Sequence, residues 1–316
     1  MTSLSDKIKT AIDESRMLIL GTQVLLGFQY RAFFEKGFEA LPTASQYLAL
    51  AGLAVLLLAI ALIMWPSAYH RIVRGGNDAN DVHEFATSVM DVALLPFGIA
   101  LVLDFYVLSG KVWGKRGGII MAALIGASAL AFWFGYGFID RARQRRRPLR
   151  RSENHDARRT QEGGGMEKTP IHKKVEQVLT EARVVLPGAQ ALMGFQFATI
   201  LMEAFDKLPL SSKYIHLISL ALMGVSVIFL MTPAAYHRIV ERGEDTERFH
   251  NVASRLVVAS MITLPIGICG DLFVVMRKMT ETVLVSLVSS LIALAVFYGL
   301  WFGFTIYRRR RLERRL

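Results

Sequence analysis

The sequence has few of the residues and motifs on which soluble enzymes and metal-binding proteins depend. Its 316 residues include one cysteine, Cys269, which excludes an internal disulfide and a metal site built from several cysteines. Residues 1–16 are polar and of mixed charge, so they lack the apolar core of a cleavable signal peptide. The sequence contains no phosphate-binding glycine loop, cysteine pair or nucleophile motif. We therefore predict a protein that is not an enzyme and that holds no metal and no other cofactor.

Apolar residues are abundant, at 53% of the chain, and they are collected in long blocks. A bilayer core of about 30 Å is crossed by about 20 helical residues, and each block has about that length. Proline and glycine inside several blocks are compatible with membrane helices. The sequence therefore predicts an all-α polytopic membrane protein with eight transmembrane helices, at residues 17–40, 45–66, 85–108, 117–139, 184–206, 213–233, 252–276 and 282–306.

Positive charge is concentrated at two places. The net charge is +11, and the excess lies at residues 141–151 and 308–315, each directly after an apolar block. Because basic flanks of membrane helices stay in the cytoplasm, we predict a multi-pass protein of the bacterial cytoplasmic (inner) membrane with both termini inside. The runs contain no interleaved aromatic residues, which favours anionic lipid headgroups over nucleic acid as their partner. The loop around Lys111 falls outside by this topology and is an exception to the charge rule.

The sequence repeats itself at a single offset of 167 residues. The motif G-x-Q-x-x-x-G-F-Q at residues 21–29 recurs at residues 188–196, and P-x-A-Y-H-R-I-V at residues 66–73 recurs at residues 233–240. A run of this length does not recur by chance, so the chain is a duplication. The apolar residues at the start of each copy have helical spacing. They predict a short amphipathic helix on the inner membrane surface before each first span.

The join between the copies is charged and rich in glycine, which is typical of a flexible linker. We divide the chain into a first four-helix membrane unit (residues 1–147), a linker (148–165) and a second four-helix membrane unit (166–316), and we infer a gene fusion. An even number of helices per unit makes the repeats parallel, with a pseudo-two-fold axis along the membrane normal. The two halves are then expected to be partners of each other.

The repeated motifs, together with E-x-R at residues 14–16, resemble the bacterial domain-of-unknown-function family 6328. The resemblance covers residues 11–141 and 178–308. It implies a small four-helix integral membrane protein, usually with one unit per chain, and it adds no activity. The two tandem units of this sequence depart from that single-unit form.

Polar residues inside the predicted spans are candidates for function, because polar groups are costly in lipid. A polar path along the first and third helices of each unit would comprise Gln23, Gln29, Arg31, Asp91, Asp104, Gln190, Gln196, Glu203 and Asp271. Depth along the helices favours Arg31–Asp104 as an ion pair, places Glu203 at a similar depth in the second unit, and makes Asp91 the deepest carboxylate. The alternative is that the glutamines hold helices together by hydrogen bonds and that Asp104 and Asp271 lie at the water interface.

A second cluster is predicted at the cytoplasmic ends of the helices. It comprises Glu14, His70, Arg71, His83, Glu181, His237, Arg238 and His250. Because histidine titrates near neutral pH, this cluster could form a cytoplasmic gate or pH sensor. The alternative is that the Y-H-R box lies at the headgroups, with its arginines extended towards water. The spacing of the histidines is not that of a metal-ligand motif.

Two functions remain open from the sequence. The first is a small-solute or ion transporter or channel whose path runs along the first and third helices of each repeat. The second is a non-transporting membrane module, for envelope stress or for binding lipid or a partner protein. In that case the glutamines and aspartates serve packing.

Overall fold

The computed structural model describes residues 4–74, 80–135, 170–241 and 244–304, with four isolated residues near the C-terminus. Side chains are described for residues 18–66, 84–135, 170–241 and 244–303. Within these ranges every regular element is a helix, which confirms the all-α class. The predicted linker at residues 148–165 lies outside the described residues.

The first unit contains two long helices joined by a short one, followed by a bent helix and a π-helical turn. The helices are α1 (Leu4–Ala32), α2 (Lys36–Glu39), α3 (Thr43–Arg74) and α4 (Asn80–Ala129), with the π-helical segment Leu130–Gly135. Helix α4 is broken at Gly114, which has a φ of 73° that only glycine adopts without strain. The chain reverses direction there. The two arms of the turn lie close together, since a Cβ added at Gly118 would lie 2.6 Å from the carbonyl oxygen of Tyr106.

The second unit repeats this order of elements. Its helices are α5 (Ile171–Ile200), α6 (Glu203–Asp206), α7 (Leu210–Ile239), α8 (Glu247–Thr280) and α9 (Val283–Tyr298), with the π-helical segment Gly299–Phe304. The reversal between α8 and α9 occurs at Glu281, which also has a positive φ, of 55°. Gly114 and Glu281 are separated by the repeat offset, so the two units turn at equivalent residues.

The helices include membrane-spanning candidates. Five segments are long and apolar enough to cross a bilayer: Thr43–Pro66, Glu84–Gly135, Leu210–Ile239, Glu247–Thr280 and Val283–Gly303. The second has 52 residues, more than twice the length of one crossing, and it contains the reversal at Gly114. These segments account for six of the eight predicted blocks. Helices α1 and α5, which carry the repeated glutamines, are not among them.

The predicted surface helix before each first span is wrong. Helices α1 and α5 begin at Leu4 and Ile171 and continue without a break into the first predicted spans. In α5 the apolar stripe of the leader, which includes Val175 and Leu179, is buried in the protein. The apolar spacing continues in the same helical register as far as Leu186, further along α5. The leader and the predicted span therefore place these residues on one face of a single helix, and that face packs against the rest of the protein.

The two units pack together through their first helices. Helix α1 runs along α5, and the rings of Phe28 and Phe195 meet edge to face at 5.9 Å between centroids. A second contact joins the end of α4 to α7, where Trp133 Nε1 donates to the carbonyl oxygen of Ile228 at 3.2 Å. The core therefore runs continuously through both units. Helix α9 lies at its margin and buries only Ser286 and Ser290.

Candidate functional site

In each unit a glutamine–aspartate pair joins two helices, α1 to α4 in the first unit and α5 to α8 in the second. The first pair is buried, whereas Asp271 of the second pair is 28% exposed. Gln29 Nε2 donates to Asp104 Oδ2 in the first unit, and Gln196 Nε2 donates to Asp271 Oδ2 in the second. Gln29 is 6% exposed and Asp104 is 8% exposed. Both residues of each pair recur at the repeat offset, and the contact recurs with them. The structure therefore brings together four of the predicted path residues as two equivalent pairs.

The second unit adds a histidine to its pair. His216, on α7, places Nδ1 2.9 Å from Asp271 Oδ1, an ion-pair distance whose angles fall short of a hydrogen bond. Its Nε2 lies 3.2 Å from the backbone carbonyl oxygen of Gln196. The equivalent residue of the first unit is Ala49, so that unit has no ring nitrogen at this position.

Small and large residues have exchanged places next to the two pairs. In the first unit Gly52 lies against Asp104 and Leu103, so that a Cβ added at Gly52 would lie 3.3 Å from Asp104 Oδ1. In the second unit the equivalent residues are Ser219 on α7 and Gly270 on α8. They also touch each other, but here the glycine lies on α8, whereas in the first unit it lies on α3. The exchange keeps the second and third helices close together in both units.

A small cavity adjoins the pair of the first unit. Its volume is about 30 Å³, and its polar lining consists of Gln29 and Asp104. Apolar residues form the rest of its lining, among them Ala49 and the aromatic residues Phe33, Phe38 and Phe197. Gln29 Oε1 is buried next to it without a hydrogen-bond partner among the described residues.

The predicted ion pair between Arg31 and Asp104 is wrong. Arg31 Nε instead lies 3.3 Å from Glu35 Oε1, and its side chain is 56% exposed. Arg31 follows Gln29 by two residues, which places the two side chains about 200° apart around the helix. Since Gln29 faces Asp104, Arg31 faces away from it.

Glu203 also lies outside the buried path. It begins the short helix α6 and pairs with Lys36 at 3.1 Å and with Lys207 at 3.0 Å. Hydrogen bonds from Lys207 and then Lys36 hold the pKa of the Glu203 carboxyl below its usual value. The residue is exposed because it follows the end of α5, where the chain turns towards α7.

The remaining glutamines of the predicted path, Gln23 and Gln190, occupy different environments although they are equivalent in sequence. Gln190 is fully buried between α1 and α5, next to Gly21, and neither of its side-chain polar atoms has a hydrogen-bond partner among the described residues. Gln23 is exposed. The path residues therefore do not form two identical sets.

Asp91 lies in a contact between the units. Arg238 Nε donates to Asp91 Oδ1 at 3.0 Å, and the arginine side chain is almost fully buried. This contact joins a residue of the predicted path to a residue of the predicted gate. The expectation that Arg238 extends towards water is wrong, because its buried side chain contacts Asp91 on α4 of the first unit.

The described part of the predicted gate contains one paired histidine. His237 Nε2 lies 3.6 Å from Asp245 Oδ1, and its ring packs on Phe249. Near them, burial raises the pKa of the Glu241 carboxyl above its usual value. His250 is half-buried, and Glu181 is exposed. The side chains of Glu14, His70, Arg71 and His83 lie outside the described residues.

A metal centre is not formed by the side chains that the structure describes. Among them, no three histidine, cysteine or carboxylate groups come close enough to hold a metal ion. Cys269 is buried and has no cysteine partner.

Comparison with known proteins decides the family. The family DUF6328, described as a family of unknown function, matches the sequence twice, over residues 4–137 and 166–305. The chain belongs to the DUF6328 family. Two matches of nearly the same length agree with two tandem DUF6328 units. No curated protein and no solved structure matches the chain.

Two residues of this DUF6328 chain were missed by sequence reasoning. His216 lies in an apolar block and has no equivalent in the first unit, so the repeat gave no reason to select it. Lys111 does have a signal in the sequence, because its positive charge lies in a loop that the predicted topology places outside. Its Nζ lies 2.8 Å from the carbonyl oxygen of Ile200 and 3.0 Å from Asp206 Oδ1. It therefore supports the end of α5, where backbone carbonyls lack helical partners.

Proposed function

We propose that the chain crosses the bacterial inner membrane eight times, as two parallel four-helix units with cytoplasmic termini and a pseudo-two-fold axis between them. Two contacts support the axis. Phe28 meets Phe195 and Lys36 meets Glu203, and in both contacts the partners are equivalent residues of the two units. Equivalent residues can touch each other only near a two-fold axis. Many large apolar side chains on the outer faces, for example along α9, suit contact with lipid.

Assembly of the units can be tested with two fragments. Residues 1–160 and 166–316, expressed together, are expected to co-purify in mild detergent because α1 packs along α5. Separate migration of the fragments would contradict the pairing. Each fragment expressed alone is the control for folding.

We propose further that the protein moves a small ion or solute through sites built on its glutamine–aspartate pairs. The observation that carries the proposal is the recurrence of the same pair, buried as Gln29–Asp104 and partly buried as Gln196–Asp271, in both units. A carboxylate buried among apolar helices is costly, and such residues commonly mark ion or substrate pathways. A single pair could be explained as packing alone. Two copies that have kept the pair while their surroundings changed point to use of the carboxylate.

Flux measured in proteoliposomes tests this function. The double variant Asp104→Asn, Asp271→Asn keeps the size of both side chains and one acceptor oxygen for each glutamine amide, and it removes their charge. We expect it to fold and to lose flux of protons and small monovalent cations. The matched control is Asp206→Asn, a carboxylate on the exposed short helix α6, which is expected to keep the flux. Full flux in the folded double variant would refute the proposal.

A second function is favoured by one specific observation. Each glutamine of the two pairs gives its amide to a carboxylate of another helix, which is how polar residues hold membrane helices together. In that case the protein is a non-transporting membrane module. The double variant would then lower thermal stability, and the wild type would show no flux above that of empty liposomes.

A further inference from the structure

The two pairs differ in what faces the carboxylate. In the second unit both ring nitrogens of His216 face oxygen atoms, one of Asp271 at 2.9 Å and one of the Gln196 backbone at 3.2 Å. The imidazole ring therefore fills the space beside the carboxylate of the second unit.

The first unit has a cavity where this ring would lie. Ala49 replaces the histidine, and the cavity of about 30 Å³ extends beside it to Gln29 and Asp104. A water-sized particle needs about 10–15 Å³ by this measure, so the cavity holds about two or three of them. It is too small for an organic solute.

The polar atoms at the cavity select the kind of occupant. Gln29 gives Nε2 to Asp104, which leaves its Oε1 as an acceptor, buried and without a partner among the described residues. Asp104 adds a carboxylate, which accepts hydrogen bonds and attracts positive charge. A hydrogen-bond donor or a cation can therefore satisfy these oxygens. Apolar residues line the rest of the wall, among them the aromatic residues Phe33, Phe38 and Phe197.

We propose that this cavity binds one small monovalent cation, of the sodium or ammonium class, and that His216 fills the equivalent position of the second unit. One carboxylate balances one positive charge, whereas Ca²⁺ takes six to eight oxygen ligands and Mg²⁺ needs a nearly ideal octahedral set. The choice of the ion class rests on the proposed transport function. Binding itself does not require flux.

Thermal unfolding of the full chain in detergent measures the binding. Sodium, ammonium and potassium chloride are compared with choline chloride at the same ionic strength, because choline is too large for the cavity. A ligand that binds the folded state raises Tm with its concentration. We expect Tm to rise with sodium or ammonium above the choline baseline. The cation with the larger rise identifies the occupant.

Exchange of the two residues at this position supplies the decisive variants. Ala49→His gives the first unit its own imidazole, so the cation-dependent rise in Tm is expected to vanish. Ala49→Leu fills the cavity without a charge and is expected to remove the rise as well. His216→Ala is the reciprocal change: it removes the ring beside the carboxylate of the second unit, and the cation-dependent rise is expected to grow.

Two results would overturn the proposal. The first is a wild-type Tm that is the same in sodium, ammonium and choline, which would mean that water or a proton on Asp104 serves the site. The second is a cation-dependent rise that persists in folded Ala49→His protein. If that variant does not fold, an unchanged cation response in His216→Ala decides against the proposal in its place. Binding without flux would refute transport alone, whereas carboxylate-dependent flux without any cation effect on Tm would refute this inference alone.

Discussion

Loss of the glutamine should cost the first unit more stability than the second. Gln29→Leu removes the described hydrogen-bond partner of Asp104, whereas Gln196→Leu leaves His216 beside Asp271. A hydrogen bond to a charged group contributes about 1.5–3 kcal/mol, and an average interhelical hydrogen bond in a membrane protein about 0.6 kcal/mol. We expect a loss of about 2 kcal/mol for Gln29→Leu and of about 1 kcal/mol or less for Gln196→Leu.

Thermal unfolding in a single detergent is the assay for this difference. For a chain of this size, 1 kcal/mol corresponds to about 2 °C in Tm, so the two variants should differ by about 2 °C. The measurement is made in choline chloride, so that no small cation can compensate Asp104. His216→Ala, combined with Gln196→Leu, removes the second partner of Asp271 and should bring the loss in the second unit close to that in the first.

An equal loss in both single variants, or a larger loss for Gln196→Leu, would refute the reasoning. An equal loss would mean that His216 does not stabilise Asp271 in the folded protein. The second would mean that packing of the fully buried Gln196, and not its hydrogen bond, determines the cost. Additivity of Gln196→Leu and His216→Ala would also contradict the idea that both residues serve the same carboxylate.

We make three further predictions. Lys111→Met should lower Tm by about 2–4 °C, because it removes the amine that donates to a carbonyl oxygen at the end of α5, while Lys115→Met, at an exposed position, should change Tm little. Glu281→Gly should raise Tm by about 1–2 °C in the same assay, because it relieves a left-handed conformation, and a fall in Tm would show that this turn depends on the glutamate side chain. A cysteine at position 43 in place of Thr43 should react with an impermeant reagent in intact cells, and one in place of Asn77 only after permeabilisation; the opposite pattern would reverse the topology.

The repeat made much of the fold and of the site accessible from the sequence. Gln29 and Asp104 are predictable because each recurs at one offset, and the structure joins them. Depth along the helix nevertheless favours Arg31 as the partner of Asp104, because depth takes no account of the angle around the helix. Two positions along a helix change the depth by about 3 Å but turn the side chain by about 200°. Depth therefore found the level of the pair and missed its face.

Contacts between the units could not be found in this way. Arg238 and Asp91 lie in different units, and so do Lys111 and Ile200. A repeat shows which residues are equivalent, but it does not show which face of one unit meets the other. The apolar leaders were placed on the membrane surface for the same reason. An amphipathic stripe predicts that a face is buried, and only the packing shows whether protein or lipid covers it.

Two units in one chain escape a constraint that a homodimer obeys. In a homodimer, a residue near the axis faces its own copy, so a lysine would meet a lysine. Here Lys36 meets Glu203, which is favourable only because the two units differ. The same freedom lets Ala49 lie beside one carboxylate and His216 beside the other. If the proposed cation site exists, the two Gln–Asp pairs must therefore differ in ion affinity, because their neighbours differ.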